Sequence, residues 1–448
     1  MLLDFRATNF RSIDGEVALN LVSTREQRFS ERLPELKRRY RKRVNPVAAL
    51  FGANASGKSN ILSAVEALKF FVLYPPRADE PLTYQPFRLR ETASQEPTRF
   101  EVLFEHEGYI YEYTVAFNRD KILEESLTKF LSQSEQILYR RDPSDKNNPL
   151  YLPTLAHQGA DGDRVRSALE LTALNMPLAS QVSALAIDAS PELQSALDEL
   201  LVVRRWISKL WIYRAGDFDI GRDPTGLPHW RELITQIDAG ISGVAAMPVS
   251  LSSLELSQSR RDSFVQALSN GVDTIDLELE TGRYELEMVD EELVAKRLLL
   301  KHAGEDPSNP VPLHWFQESD GTKAAVRLLG LFAILSHPDS GWVVLIDEID
   351  RSFHTELSRA LLRGFLDSAS ADSRSQLIFT THDLLLMDPD LFRRDEMWIV
   401  EKDYKGRTEL IPLSDYDGIR KDADIRKHYL QGRFGGVPVI EPLRVDHG

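Results

Sequence analysis

The residues best suited to chemistry lie in GANASGKS, residues 52–59, which we call the P-loop. This segment fits the pattern G-x-x-x-x-G-K-[ST] in full, between a predicted strand and a predicted helix. Its glycines allow successive backbone N–H groups to surround a phosphate, Lys58 can reach the β- and γ-phosphates, and Ser59 can ligate Mg²⁺. The segment therefore predicts a site for a nucleoside triphosphate. The predicted contact residues are Gly52, Asn54, Ala55, Ser56, Gly57, Lys58, Ser59 and Asn60.

A second candidate is the end of the apolar segment GWVVLIDEID, residues 341–350. A buried parallel strand that ends in two acids places both carboxylates at the carboxyl edge of its sheet, where such sheets bind ligands. Asp347 would hold Mg²⁺, usually through water, and Glu348 would polarise an attacking water. Two exposed acids that merely end a strand are the alternative, and the presence of a complete P-loop favours the functional interpretation.

Hydrophobic periodicity predicts the elements that position these residues. The apolar run PVAALFG, residues 46–52, is typical of a buried strand, and the apolar residues after the P-loop recur at helical spacing. The segments LLDFRATNFRSI and EVALNLV predict a hairpin or two edge strands. Alternation on both sides of the turn EHEG predicts another hairpin over residues 98–117.

The rest of the chain changes from a helical to an alternating pattern. Residues 126–268 are mostly helical in pattern, including 190–213, and strand-like alternation returns around 272–300. The final 130 or so residues alternate helix and strand, which is typical of a parallel sheet. These patterns predict an α/β fold with an antiparallel β subdomain and a mostly helical insertion.

Composition bounds the class of protein. The chain has 448 residues, of which 42% are hydrophobic and 27% charged, as is usual for a soluble globular protein. Cysteine is absent, which excludes disulfides and cysteine nucleophiles and fits a reducing cytoplasm. The start has no signal-peptide pattern, and the longest apolar run, residues 328–335, is too short to cross a membrane. We expect a cytoplasmic protein without a membrane partner.

The chain is acidic as a whole but contains one strongly basic stretch. A formal net charge of −15 argues against non-specific coating of nucleic acid by the whole surface. The basic stretch KRRYRKR, residues 37–43, has the opposite sign. It is either a solvated loop or a contact to the phosphate backbone of DNA or RNA, and the sequence leaves both interpretations open.

The separation of the two motifs carries a family resemblance. Lys58 and Asp347 stand in opposite halves of the chain, whereas a AAA+ motor has its acidic strand shortly after its P-loop. The split resembles ABC-type ATPases of the SMC, RecF and OLD kind, whose head is assembled from an N-terminal and a C-terminal lobe. The opening NFRSI is similar to the first strand of that family. The resemblance implies an N-terminal lobe at 1–125, an insertion at 126–268 and a C-terminal lobe at 269–448.

The same resemblance implies roles for further residues. His382, which ends the apolar run QLIFTTH, matches the switch histidine that senses the γ-phosphate. Asp350 falls where such proteins place a residue that touches the opposite subunit. ABC ATPases also place a glutamine on Mg²⁺, for which Gln85 in TYQPFRL is the candidate.

Ser319 and Gly321, in ESDGTK, match a signature that opens a helix and binds the nucleotide of the facing protomer. A serine and a backbone N–H at a helix N-terminus can form an anion site, and a simple helix cap is the alternative. The sequence S-D-G-T replaces the S-G-G-Q of transporters, which fits the SMC and RecF side of the family better. The signature implies a homodimer or a higher homo-oligomer.

The C-terminal segments resemble a particular subgroup of these ATPases. Residues 392–402 and 419–440 resemble compact bacterial ABC-type ATPases related to abortive-infection and RloA-like proteins, which are implied to serve in defence against phage. We therefore expect a Mg²⁺-dependent ATPase that binds ATP and acts as a nucleotide-gated sensor or scaffold. A separate effector protein would carry out the final step. The alternatives are a RecF-like ATPase of DNA repair or replication, which would bind DNA strongly, and the energising subunit of a transporter.

Overall fold

The structure is a computed structural model that describes residues 1–37, 40–156, 159–185, 191–214, 230–237, 240–269, 274–306, 308–337, 340–351, 354–416 and 424–435. Arg38, Arg39 and most of the tail segment 419–440 lie outside the described residues. The chain forms two compact units. The first comprises Met1–Ile212, Gly341–Glu348 and Ser368–Gly448, and the second comprises Tyr213–Ser340 and Ile349–Asp367. The lobe boundaries at residues 125 and 268 stay predictions.

The strands in the described part of the chain are β1 (Leu2–Thr8), β2 (Val17–Asn20), β3 (Val47–Phe51), β4 (Thr98–His106), β5 (Tyr109–Phe117), β6 (Ile122–Phe130), β7 (Glu135–Arg141), β8 (Leu150–Tyr151), β9 (Leu210–Arg214), β10 (Ile241–Val249), β11 (Ile275–Leu279), β12 (Gly282–Val289), β13 (Glu292–His302), β14 (Val311–Leu313), β15 (Val343–Asp347), β16 (Gln376–Thr381), β17 (Met397–Lys402) and β18 (Thr408–Pro412). The α-helices are α1 (Lys58–Leu73), α2 (Gly159–Glu170), α3 (Leu178–Leu185), α4 (Pro191–Leu200), α5 (Val202–Ser208), α6 (Trp230–Ile237), α7 (Gln258–Ser269), α8 (Asp320–Ser336), α9 (Thr355–Ser368) and α10 (Ile425–Leu430).

One sheet of the first unit is antiparallel and has the strand order β2-β1-β4-β5-β6-β7-β8. Both predicted hairpins are confirmed, as β1 with β2 and as β4 with β5. Of the first pair, only β2 lies at the edge of the sheet, because β4 covers the other side of β1. Alternate residues of β4 (Phe100, Val102 and Phe104) are buried, as period-two patterning requires.

The other sheet of the first unit has the order β18-β17-β3-β16-β15-β9 and combines strands from both ends of the chain. Strand β3 pairs in parallel with β16 and β17, and β15 pairs in parallel with β16. Every residue of β3 is buried, which explains its uninterrupted apolar sequence. The predicted α/β class is confirmed, and so is the joining of N-terminal and C-terminal strands.

The helical prediction for residues 190–213 is wrong for its last residues, which form a strand. Residues 190–213 have a helical pattern, but α5 ends at Ser208 and the chain continues as β9, an edge strand beside β15. The backbone N–H of Val343 donates to the carbonyl of Lys209 (3.0 Å), which begins this pairing. The apolar run LWIY is too short for periodicity to separate helix from strand.

The second unit contains an antiparallel sheet of order β10-β13-β12-β11, with β14 paired to β13. A buried ion-pair cluster fixes α8 against this sheet. Glu278 of β11 accepts hydrogen bonds from Arg327 of α8 (2.6 and 3.0 Å) and from the indole N–H of Trp315 (2.8 Å). Because a buried carboxylate is costly unless it is paired, this cluster sets the position of the helix.

Candidate functional site

Parallel pairing brings three predicted segments to one edge of the mixed sheet. The P-loop follows β3, Asp347 ends β15, and His382 follows β16 directly. Since these strands run in the same direction, their carboxyl ends lie side by side. The segments form a cleft of about 460 Å³, which is lined by Asn54, Ala55, Ser56, Gly57, Lys58, Ser59, Asn60, Glu348, His382 and Lys402.

Two P-loop glycines are required by close contacts. Gly57, at the N-cap of α1, has a φ of 110°, in the left-handed region that favours glycine. A Cβ on Gly57 would lie 2.0 Å from Oγ1 of Thr408, and a Cβ on Gly52 would lie 2.2 Å from the carbonyl oxygen of Val400. Any side chain at either position would therefore displace the β17–β18 hairpin.

Lys58 is buried at the start of α1 with its ammonium inside the P-loop. Its Nζ donates to the carbonyls of Gly52 (2.6 Å) and Ala53 (3.0 Å) and lies 3.2 Å from Nδ1 of His382. Because an ammonium has no acceptor, this contact requires Nδ1 to accept, which assigns the imidazole proton to Nε2. The cation thus lies at a helix N-terminus, where the helix dipole also favours an anion.

Ser59 joins Asp347 to the P-loop, and Thr380 links Asp347 to the backbone of Glu348. Oγ of Ser59 donates to Oδ1 of Asp347 (3.0 Å), and Oγ1 of Thr380 donates to the same oxygen (2.6 Å). The Thr380 hydroxyl oxygen also accepts from the backbone N–H of Glu348 (2.7 Å). Sequence patterns did not mark Thr380, because its position depends on the pairing of β15 with β16.

Glu348 has a constrained backbone and faces the histidine. Its φ of 56° is in the left-handed region, which costs a bulky residue about 1–3 kcal/mol. Oε1 of Glu348 lies 3.4 Å from Nε2 of His382. With the proton on Nε2, the imidazole would donate towards this carboxylate. The strained turn therefore aims the carboxylate into the cleft beside the histidine.

A hydrogen-bond network joins the P-loop to the start of the chain and to strand β18. Oγ1 of Thr408 lies 2.7 Å from Oγ of Ser12 and donates to the carbonyl of Ser56 (3.2 Å). The Asn60 side chain donates to the Ser12 hydroxyl (2.7 Å). Ser12 lies in the NFRSI segment, whose sequence does not predict a contact with the P-loop network. Lys402, at the end of β17, was likewise not predicted, although it lines the cleft.

Gln85 does not line this cleft. Its side-chain oxygen accepts from Nε of Arg11 (2.7 Å), and its backbone carbonyl accepts from the Arg11 N–H (2.7 Å). Gln85 instead lines another pocket, together with Phe70 of α1 and Tyr74, the residue that follows this helix. Nothing in this arrangement supports a metal-binding role for Gln85.

The remaining predicted residues belong to the second unit. Ser319 is exposed and caps α8, with its hydroxyl oxygen accepting from the N–H of Thr322 (3.0 Å). Gly321 lies in the first turn of the same helix, after the fully exposed Asp320. Asp350 is half-buried. The cap is present as predicted, and the anion-binding role of these residues stays a prediction.

A buried parallel strand, a glycine loop with an enclosed lysine, and a carboxylate paired to the loop serine together define a P-loop nucleotide-binding protein. The chain belongs to the family described as "AAA domain, putative AbiEii toxin, Type IV TA system", whose model matches residues 47–388. No curated protein matches the chain.

Two solved structures are similar to the chain. The "SMC head domain from Thermotoga maritima" has 15% sequence identity and a TM-score of 0.38, covering 92% of this chain and 98% of that one. The "SmcHead bound to the C-winged helix domain of ScpA" has 13% identity and a TM-score of 0.39, covering 92% and 97%.

The described residues contain neither a membrane-spanning helix nor a cluster of metal ligands. In that part of the chain, no helix is long and apolar enough to cross a membrane. Nor do its side chains include a group of three or more His, Cys, Asp or Glu residues that could hold a metal ion.

Proposed function

We propose that this protein is a Mg²⁺-dependent ATPase. The observation that carries the proposal is the bonded series from Ser59 through Asp347 and Thr380 to Glu348, beside the enclosed ammonium of Lys58. This series places a phosphate-binding cation, two hard oxygen donors and a general base at one cleft. Such a combination is suited to phosphoryl transfer to water.

The residues present fit a magnesium nucleotide. Ser59 and Asp347 offer a hydroxyl and a carboxylate oxygen 3.0 Å apart, which is the donor type that Mg²⁺ prefers. Magnesium sites of this kind use one or two protein oxygens and complete their shell with phosphate and water. When bound, the ion would neutralise charge on the β- and γ-phosphates.

Each residue of the cleft then has a defined task. Lys58 would exchange its carbonyl partners for phosphate oxygens of ATP. A carboxylate oxygen of Glu348 would accept the proton of the attacking water, while Nε2–H of His382 orients that carboxylate. Thr380 would be a positioning residue, since its hydroxyl contacts Asp347 and the backbone of Glu348.

We further propose that ATP gates a homodimer that senses phage infection and controls a separate effector protein. The words "AbiEii toxin" in the family description and the resemblance to abortive-infection and RloA-like ATPases support the defence role. The exposed serine cap of α8 supports contact with the nucleotide of a facing protomer. The proposal of a separate effector is supported by the sequence alone, which contains no second set of catalytic motifs such as G-x-S-x-G.

Calorimetry with ATP and Mg²⁺ tests the central proposal. We expect Lys58→Ala to weaken ATP binding by about tenfold to a hundredfold and to abolish hydrolysis, because it removes the enclosed cation. The matched control is Lys121→Ala at an exposed position, which should leave both unchanged. Wild-type ATP affinity in Lys58→Ala would refute the assignment.

A further inference from the structure

Some cations of the basic stretch 37–43 interact with other groups of the protein. Lys37 donates to the carbonyl of Glu107 (3.3 Å), and its Nζ lies 5.7 Å from the ring centroid of Tyr109. The guanidinium of Arg43 pairs with the carboxylate of Glu35 (2.7 Å). Both of these cations therefore already interact with groups of the protein itself.

Tyr40 anchors the stretch to the antiparallel sheet. Its hydroxyl donates to the carbonyl of Phe130 (2.8 Å) and accepts from the N–H of Ile110 (3.2 Å). The ring is half-buried and packs against the main hydrophobic core. Tyr40 is therefore not available to stack on a nucleotide base.

Three other cations face a common cavity. Arg41 and Lys42 of the stretch are exposed, and with Arg25 from the preceding segment they line a cavity of about 740 Å³, whose wall also includes the ion pair of Glu35 and Arg43. Among the described residues, no carboxylate lies within ion-pair distance of Arg25, Arg41 or Lys42. This cavity thus presents a net positive charge on a protein whose formal charge is −15.

The walls of this cavity are held in place by hydrogen bonds. The Ser23 N–H donates to the carbonyl of Arg43 (2.9 Å), which joins the segment of Arg25 to the basic stretch. Thr24 donates to Asp395 through both its backbone N–H (2.6 Å) and its hydroxyl (2.8 Å). The three unpaired cations are therefore displayed from a fixed scaffold.

We propose that Arg25, Arg41 and Lys42 bind the phosphate backbone of double-stranded nucleic acid. Exposed cations on two adjacent segments can each neutralise a backbone phosphate, and such contacts fix the register of a protein on a duplex without reading its sequence. A single strand is less favoured, because single-strand sites use aromatic side chains for base stacking, and Tyr40 is engaged elsewhere. The proposal does not depend on ATP hydrolysis, since the cations do not line the nucleotide cleft.

A matched pair of variants of the full chain tests it. Arg41→Gln/Lys42→Gln and Lys37→Gln/Arg43→Gln remove the same charge from the same stretch, but only the first pair removes unpaired cations. Binding to a labelled DNA duplex of about 30 base pairs, without nucleotide, is measured by fluorescence anisotropy between about 50 and 200 mM salt. Thermal melting confirms that both variants fold.

The salt dependence gives the expected size of the effect. Three phosphate contacts predict that affinity falls about fortyfold over that salt range, against about three- to fourfold when one contact remains. We expect the affinity of Arg41→Gln/Lys42→Gln to fall only about three- to fourfold over this range. The affinities of the wild type and of Lys37→Gln/Arg43→Gln should fall about fortyfold. Equal loss in both variants, or no binding by wild type at low salt, would overturn the proposal.

Further ligands separate the partner classes. Duplex RNA that binds like duplex DNA supports a site for the phosphate backbone of either helix. Single-stranded DNA of equal length should bind more weakly, and stronger binding would overturn the preference for a duplex. Polyglutamate that competes as well as duplex DNA would show that an acidic protein, rather than nucleic acid, is the partner. A Lys58→Ala variant should bind the duplex normally, which keeps this test separate from the ATPase proposal.

Discussion

Thr380 connects the two acids of the cleft, although no sequence motif marks it. Its hydroxyl is shared between the carboxylate of Asp347 and the backbone N–H of Glu348. The threonine is fully buried, so water cannot replace either bond if the hydroxyl is lost. Thr380 therefore supports the strained backbone of Glu348.

We expect Thr380→Val to lower kcat for ATP hydrolysis by about tenfold to a hundredfold, as loss of a residue that orients metal ligands usually does. Valine keeps the shape of threonine and removes only the hydroxyl. ATP affinity should change less than kcat, because Lys58 and the P-loop are untouched. Thr114→Val, at a buried threonine of β5, is the control and should leave kcat unchanged. Equal kcat in both variants would contradict the positioning role.

At the scale of elements, the β17–β18 hairpin shapes the P-loop. Thr408 touches both Ser12 and the carbonyl of Ser56, and its hydroxyl occupies the space that a Cβ on Gly57 would need. We expect Thr408→Val and Ser12→Ala each to weaken ATP binding by up to about tenfold. The double variant should lose less than the sum of the two, since the hydroxyls bond to each other. Strict additivity in calorimetry would show that the network does not act as a unit.

Sequence patterns predicted the residues whose roles depend on local spacing. Gly57, Lys58 and Ser59 lie within one motif, and Asp347 ends an apolar run that is typical of a buried strand. Thr380 instead reaches the site because β16 pairs with β15 and with the distant β3. Thr408 reaches it because β18 pairs with β17, which itself pairs with β3. One sequence does not state which strands become neighbours or in what register, so these residues could not be found from it.

The fold was predicted where patterns were long or strictly alternating. The apolar spacing of α1 and the hairpin of β4 and β5 are of this kind, and both are confirmed. The short strand β9 was missed because tertiary pairing, rather than its own sequence, decides its conformation. Strands β7 and β8 likewise extend the antiparallel sheet into the range 126–268, which is mostly helical in pattern.

At the scale of the whole molecule, ATP should promote self-association if Ser319 binds the nucleotide of a facing protomer. We expect Glu348→Gln with ATP to accumulate dimers in light scattering, because binding persists while proton transfer from water fails. Adding Ser319→Arg should abolish these dimers by filling the helix cap. Ser259→Arg, at an exposed serine in the first turn of α7, makes the same charge change and should not. Dimers that survive Ser319→Arg would refute contact with the facing nucleotide.

Stability of the first unit should depend on pH through Glu396. Burial raises the pKa of this carboxyl from 4.5 to about 7, although the charge of Arg32 opposes the shift. Its Oε1 is buried without a hydrogen-bond partner among the described residues. Since the folded state retains this proton at pH values where the unfolded chain has lost it, stability conferred by Glu396 is full below about pH 4.5 and declines towards pH 7.

Thermal melting of Glu396→Gln measures this contribution. We expect the Tm of wild type, relative to the variant, to fall as the pH rises from about 5 to about 7.5, because glutamine does not titrate. Glu409→Gln, at an exposed position of β18, should leave the difference from wild type nearly constant. A constant difference for Glu396→Gln as well would show that its carboxyl does not titrate in this range.

Strand β3 acquires both of its neighbours late in protein synthesis. It is translated near the start of the chain, but β16 and β17, which flank it, emerge from the ribosome only near the end. Contacts so distant in sequence form slowly, and the fully apolar β3 must remain unpaired in the meantime. Early chaperone protection of this segment is therefore expected during translation. A nascent chain interrupted before β16 would lack both strands that flank β3, so we expect an unfinished product not to form the P-loop cleft.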